Sequence, residues 1–368
     1  MHIGIVYMGR RGIAGITLEQ ARSLSAIAQV TCYLSSGNEL LDDFGTLPCS
    51  VKTFRTYSGY RSLLCSLATR LGPKGVAREV EADAPDVVLD TGSGPWKGII
   101  QHELGGKIPQ AEVVHDVHLH PDRWNIPTRT LHALFPSQAD IYVSLSHYSH
   151  GSLLRKFPNA WHIKSRHGVL HCVGTPEPGT IAARRNRMLF FGRIEAYKGI
   201  DVLVDAFDKA KPRDRSLELS IVGRGPISAR TRRRARDLGI VVRNEWIATS
   251  EVPSIILSHG AMVLPYLSAT QSGIAGIALG NGMPCIGTNT GALPEQILHG
   301  RNGLIVPPGD SNALAEAMLT IAESELLATE MSAQAREVAR EQFEWDRIGI
   351  ELLKDLEDAV SAVGVHQC

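Results

Sequence analysis

Short apolar runs closed off by Gly, Pro or Asp recur along this sequence, mostly one helix length apart, and that rhythm limits the fold more than any other feature. The first series covers residues 3–8, 29–35, 86–90, 112–117 and 140–145. The second covers 187–192, 217–223, 240–243, 261–266, 284–287 and 303–306. Runs of this kind alternating with amphipathic segments such as Ile200 to Ala210 read as βαβ units in parallel sheets. Two series predict two doubly wound α/β domains. A length of 368 residues with 43% hydrophobic and 21% charged residues supplies two cores and is too apolar for disorder.

Between the series, HCVGTPEPGTIAARRNR (171–187) lacks a hydrophobic period and is rich in Pro, Gly and Thr, as a linker is. The expected organisation is therefore an amino-terminal domain over 1–177, a second domain over 178–345 and a closing helix within 346–368. The 38 Lys and Arg balance 38 Asp and Glu, so no broad field attracts nucleic acid and anion binding must be local. Six cysteines without a CxxC pair suggest neither a disulfide framework nor a zinc knuckle, and fit a reducing, cytoplasmic setting. Met1 leads directly into a strand-like run rather than a signal peptide, and no apolar stretch reaches the ~20 residues of a membrane span.

Two segments of the second half suit a diphosphate. In FGRIEAYKGIDVLVDAF, Arg193 and Lys198 flank a strand-to-helix turn ending at Gly199, where an Arg fork and a Lys point charge can converge on phosphate oxygens; two solvated surface cations would look the same. In TQSGIAGIALGNGMP (270–284), Ser272 and Gly273 stand at the start of a small-residue helix whose free amides attract an anion, although close helix packing also demands Gly and Ala.

Taken with IVGRGP (221–226) and GALPEQILHGRNGLIVPPGD (291–310), these segments resemble, in order and spacing, the donor domain of family 4 retaining glycosyltransferases of the GT-B fold. The resemblance is specific from Arg187 to Trp345 and looser before it. It implies two facing Rossmann-like domains with an interdomain cleft, the donor nucleotide sugar held by the second and the acceptor by the first. It further implies that Arg193 and Lys198 bind the donor diphosphate with Ser272 and Gly273, and that Asn244, Trp246 and Ile247 contact the base. Glu295 matches a family position where a local role at a helix start competes with ligand contact. The family's usual pair of glutamates, near the donor sugar and the ribose, is replaced here by Ala269 and Ile277, leaving Thr270 and Gln271 as polar substitutes. This wording resembles a bacterial subgroup lacking that pair.

In the first half, GRRGIAGITLEQARSL places Gly9, Gly12 and Gly15 before a helix, with Arg10 and Arg11 adding charge; the spacing is not the dinucleotide fingerprint, and Gly12 is a cleft-lining candidate at the donor diphosphate or a plain turn residue. VVHDVHLHPDRW (113–124) carries three histidines at a strand end. Strand alternation sets His115 and Asp116 on opposite faces, so a metal site built from His115, Asp116, His118 and His120 needs a bend. The resemblance assigns His115 a catalytic place facing the donor sugar, with Asp116 beside it and His120 further along the cleft; structural histidines are the competing reading. Ser146, before a helical run, has the type of a helix cap.

The segment from Tyr60 to Leu71 sets Leu63, Leu64, Leu67 and Leu71 at helical spacing among Arg55, Arg61, Arg70, Lys74 and Arg78. Such a stripe can lie on an anionic membrane from the cytoplasmic side or simply face a core. The run Arg230, Arg232, Arg233, Arg234 and Arg236 reads as a solvated helix face. By resemblance, the expected activity is metal-independent, cofactor-free transfer of a hexose, with retention, from a UDP- or GDP-sugar to a glycan, lipid-linked or natural-product acceptor. The departing diphosphate oxygen would take the acceptor proton, so no protein nucleophile is needed. A silent nucleotide-sugar-binding scaffold is the competing class, and an NAD-dependent oxidoreductase lacks its glycine fingerprint.

Overall fold

The computed structural model describes residues 1–57, 62–63, 72–92, 96–115, 136, 138–171 and 178–365. The described chain divides into two units, Met1–Arg166 with Trp345–Cys368, and His167–Glu344. The division lies upstream of the composition-based point at 177/178, because the Val169 amide donates to the Phe343 carbonyl at 2.9 Å and the Asn281 side chain donates to the Leu170 carbonyl at 3.0 Å. Those bonds commit the residues just before the linker-like segment to the second unit. Residues 172–177 lie outside the described residues.

The first unit is a sheet of seven parallel strands: β1 (His2–Tyr7), β2 (Gln29–Ser35), β3 (Ser50–Phe54), β4 (Val87–Asp90), β5 (Gln110–Val114), β6 (Ile141–Ser144) and β7 (Trp161–Lys164), ordered β3-β2-β1-β4-β5-β6-β7. Ile3, Ile5, Leu34, Leu89 and Val113 form one face of its core, closed by Leu352, Leu356 and Ala359 of the Trp345–Val365 helix. The carboxyl-terminal helix is thus part of this unit. Cys32 and Cys49 lie with their sulfurs 3.9 Å apart as free thiols across β2 and the start of β3, a proximity the absence of a CxxC motif does not announce.

The second unit repeats the plan with β8 (Arg187–Phe191), β9 (Glu218–Val222), β10 (Val241–Arg243), β11 (Ala261–Leu264), β12 (Cys285–Thr288) and β13 (Gly303–Val306), ordered β10-β9-β8-β11-β12-β13 and parallel throughout. Each sheet reverses its winding beside its first strand, between β1 and β4 and between β8 and β11. Loops leaving the carboxyl ends of those strands diverge at such a reversal and open a crevice where ligands of doubly wound folds bind. The residues after β8 and β11 are therefore the place to look in the second unit, and those after β1 and β4 in the first.

Candidate functional site

The turn after β8 runs from Gly192 through a short 3-10 turn, Ala196–Lys198, into the Ile200–Ala210 helix. Gly199 makes the junction at φ +69°, and any side chain there would strike the Pro265 carbonyl oxygen at 2.0 Å. That close approach brings the two crevice loops together, and the Leu267 amide donates to the Tyr197 carbonyl at 2.7 Å. Lys198 is carried inward as a result. Only 9% exposed, its ammonium donates to the Tyr266 phenol oxygen at 2.8 Å and lies 4.1 Å from the centre of that ring and 5.5 Å from the Tyr197 ring.

Among the described residues no carboxylate pairs with Lys198. Cation–π contact and one phenol oxygen partly replace lost water, but they leave the positive charge uncancelled. The Tyr266 hydroxyl lies 3.4 Å from the Ser272 hydroxyl, and Ser272 caps the Gly273–Gly280 helix by accepting from the Ala275 amide at 3.3 Å. The buried cation and the electropositive start of that helix therefore meet through one tyrosine, a combination suited to a polyanion. Tyr266 stands inside an apolar run, where an aromatic reads as core.

The small-residue run owes its composition to packing. A side chain at Gly273 would meet the His167 ring at 3.2 Å, one at Gly276 the Gly168 carbonyl oxygen at 3.0 Å, and one at Gly280 the Leu170 carbonyl oxygen at 3.1 Å. The face these glycines share lies under the 167–170 segment rather than against the sheet. Burial pushes the His167 imidazole below the ordinary histidine range, and its Nδ1 donates to the Gly168 carbonyl at 2.9 Å.

The remaining expected residues take varied places. Arg193, with a side chain 62% exposed, pairs with Glu195 at 2.9 Å. Thr270 is buried and Gln271 half-buried in the loop after β11; Ala269, buried too, backs onto Gly291. Both ends of the Asn244 amide are engaged with the Gly225 backbone, accepting at 3.0 Å and donating at 2.8 Å, while Trp246 is 46% exposed and Ile247 packs on the core. Glu295 stands in the first turn of the short Leu293–Gln296 helix, and Gln296 donates to the Ser272 carbonyl at 3.1 Å.

In the first unit His115 directly follows β5, buried, with Nε2 donating to the Thr91 carbonyl at 3.2 Å. Gly12 turns at φ +81° with open space on its side-chain side. The Arg10 guanidinium donates to the Tyr57 carbonyl at 2.7 Å, and Arg11 faces Glu39 at 3.7 Å. Beyond β4, Lys97 bonds to Glu112 at 2.6 Å and to the Gly92 carbonyl at 3.1 Å, while Asp90 accepts from the Gly92 amide at 2.8 Å. Burial, followed by the charge of Glu112, drives Asp90 up from the ordinary 3.8 to about 6, against the opposing pull of Lys97. Asp116, His118 and His120 lie outside the described residues, as do Leu64, Leu67 and Leu71; Leu63 is buried in a core cluster. Among the described residues, no group of three or more His, Cys, Asp or Glu could hold a metal ion, and no helix is long and apolar enough to cross a membrane.

Residues 185–324 match the family model described as glycosyl transferases group 1. The chain is 28% identical over 199 residues to a GDP-mannose-dependent alpha-(1-6)-phosphatidylinositol monomannoside mannosyltransferase of Mycobacterium tuberculosis, over 48% of this chain and 51% of that protein. The protein of the same name from Mycolicibacterium smegmatis is 26% identical over 265 residues, 65% of this chain and 68% of its own length. The chain thus spans about half the length of the first of these relatives. Among solved structures, Alr3699/HepE of Anabaena, determined in complex with UDP, superposes with a TM-score of 0.72 over 97% of this chain and 100% of that one, at 16% identity. That likeness gives the fold. The match to glycosyl transferases group 1 thus lies within the second unit, over residues 185–324, on a chain of the GT-B fold.

Proposed function

We propose that this protein is a retaining, metal-independent glycosyltransferase that moves a hexose from a UDP- or GDP-sugar to a glycan, lipid-linked or natural-product acceptor. The reading rests above all on Lys198, a buried ammonium with no carboxylate partner among the described residues, joined through Tyr266 to a helix start. A diphosphate supplies the missing negative charge and can accept from the helix amides at the same time. Arg193 would exchange Glu195 for the same diphosphate, Ser272 and Gly273 would face it through their backbone, and Trp246 and Ile247 would meet the base beside Asn244. Thr270 and Gln271 stand nearest the places where the resembled family carries glutamates, and take the ribose and sugar hydroxyls in this reading. On the acceptor side, Gly12 and His115 would border the donor, with Asp116 and His120 beyond.

Chemically, the step breaks the bond from the anomeric carbon to the diphosphate and forms one to the acceptor oxygen, whose proton leaves on the departing diphosphate. The protein's contribution is charge stabilisation on that leaving group and orientation of both substrates. The GDP-mannose donor and phosphatidylinositol-linked acceptor named for the mycobacterial relatives make GDP-mannose the first donor to try. The test is nucleotide release from a panel of UDP- and GDP-hexoses, with and without acceptor, by wild type, Arg193→Ala and Lys198→Ala. One donor should be consumed and both variants should lose turnover while staying folded. Nucleotide binding without any turnover, or wild-type rates in either variant, would overturn the assignment.

A further inference from the structure

We propose that Tyr266 is a positioning residue that aims the Lys198 ammonium while leaving its charge available to a diphosphate; this rests on the donor-site reading above. A lysine carries a flexible four-carbon stem, and fixing it costs rotamer entropy each time a ligand binds. A carboxylate partner would fix it at the expense of the charge the ligand needs. The phenol is a neutral acceptor, so it orders the ammonium without neutralising it.

The geometry suits that task. Tyr266 is 1% exposed, its carbonyl accepts from the Thr288 hydroxyl at 2.6 Å, and its ring meets Tyr197 edge-on at 6.3 Å and 75°. Both backbone and ring are therefore held, and Lys198 is tied at 2.8 Å to an oxygen that has little room to move. The same oxygen is 3.4 Å from the Ser272 hydroxyl, so cation and helix start are set relative to each other by one atom. Nothing in the apolar run around it marks this tyrosine as different from a core aromatic.

Tyr266→Phe keeps the ring and removes the oxygen. Calorimetric titrations of wild type and variant with UDP, GDP, uridine and guanosine separate positioning from packing. Positioning predicts a five- to tenfold loss of affinity for the nucleoside diphosphate that wild type binds, with nucleoside affinity unchanged. In turnover, kcat should fall further than KM rises. An equal loss for nucleoside and nucleoside diphosphate would mean a structural role, and unchanged diphosphate affinity would mean none; either result overturns the role of Tyr266 alone. A wild-type protein that binds no nucleoside diphosphate would instead remove the donor-site reading, and this inference with it.

Discussion

At the carboxyl end of β4 a lysine meets two carboxylates, whereas beyond β8 a lysine meets two tyrosines. Lys97 is neutralised by Glu112 with Asp90 close by, and both members of the ion pair are about 10% exposed. Lys198 has its ammonium on Tyr266 and Tyr197, with no acid among the described residues. The strand order around the two crevices is the same, although Lys97 follows the second strand of its pair, β4, and Lys198 the first strand, β8. Topology therefore creates two equivalent crevices, and side-chain charge decides what each is for. The first is internally satisfied; the second, in the donor-site reading proposed above, keeps a charge for a ligand.

Substitutions at the two lysines test that contrast most severely. Lys198→Met should lower turnover by ~100- to 1,000-fold, as loss of one preorganised charge at a reacting group does. Thermal unfolding of the variant should show no loss of stability, because the residue removed is a buried charge with no acid to abandon. Lys97→Met should do the reverse, costing about 3 kcal/mol in denaturant unfolding by leaving Glu112 uncompensated. Equal stability losses at the two sites would erase the distinction.

Asp90 provides a pH-dependent version. Its folded-state value near 6 exceeds the ordinary 3.8, so between those values the folded chain keeps a proton that the unfolded chain has lost. The stabilisation this group lends is complete below about pH 4 and is lost as pH rises through about 6. Asp90→Asn, which can still accept from the Gly92 amide, should gain on wild type between pH 4 and pH 7 by up to roughly 3 kcal/mol. A gap in unfolding free energy that stays constant over that range would show that Asp90 is ionised when folded.

The smallest effects compare two serine caps. Ser146 accepts from the Ser149 amide at 3.0 Å and Ser272 from the Ala275 amide at 3.3 Å. Replacing either by Ala should cost ~1 kcal/mol in stability. Only Ser272→Ala should also weaken nucleoside diphosphate binding, since only that cap touches the tyrosine holding a cation.

All six strands of the second unit coincide with apolar runs in the sequence, and the inner strands β8, β11 and β12, buried almost throughout, cannot spare polar positions. In the first unit β3 and β7 escape that logic. They are the sheet edges, and SVKTF and WHIK carry lysines and half-exposed positions that an edge tolerates. Of the candidate site, the placing of Lys198 before Gly199 at a strand-to-helix turn is legible in the sequence, while its burial is not, since two solvated cations would show the same spacing. Tyr266 and the Lys97–Glu112 pair are not legible either, since a buried phenol, or a carboxylate facing a helix from a strand, depends on contacts that no local spacing encodes.

The helix Trp345–Val365 completes a core begun by β1, although the whole second unit lies between them in the chain. During synthesis, residues 167–344 can assemble from one continuous stretch as they emerge, while the first 166 must wait with the surface destined for Leu352, Leu356 and Ala359 uncovered. The order of folding is then the reverse of the order of translation. Truncation before Trp345 should spare the second unit and leave the first unit prone to aggregate.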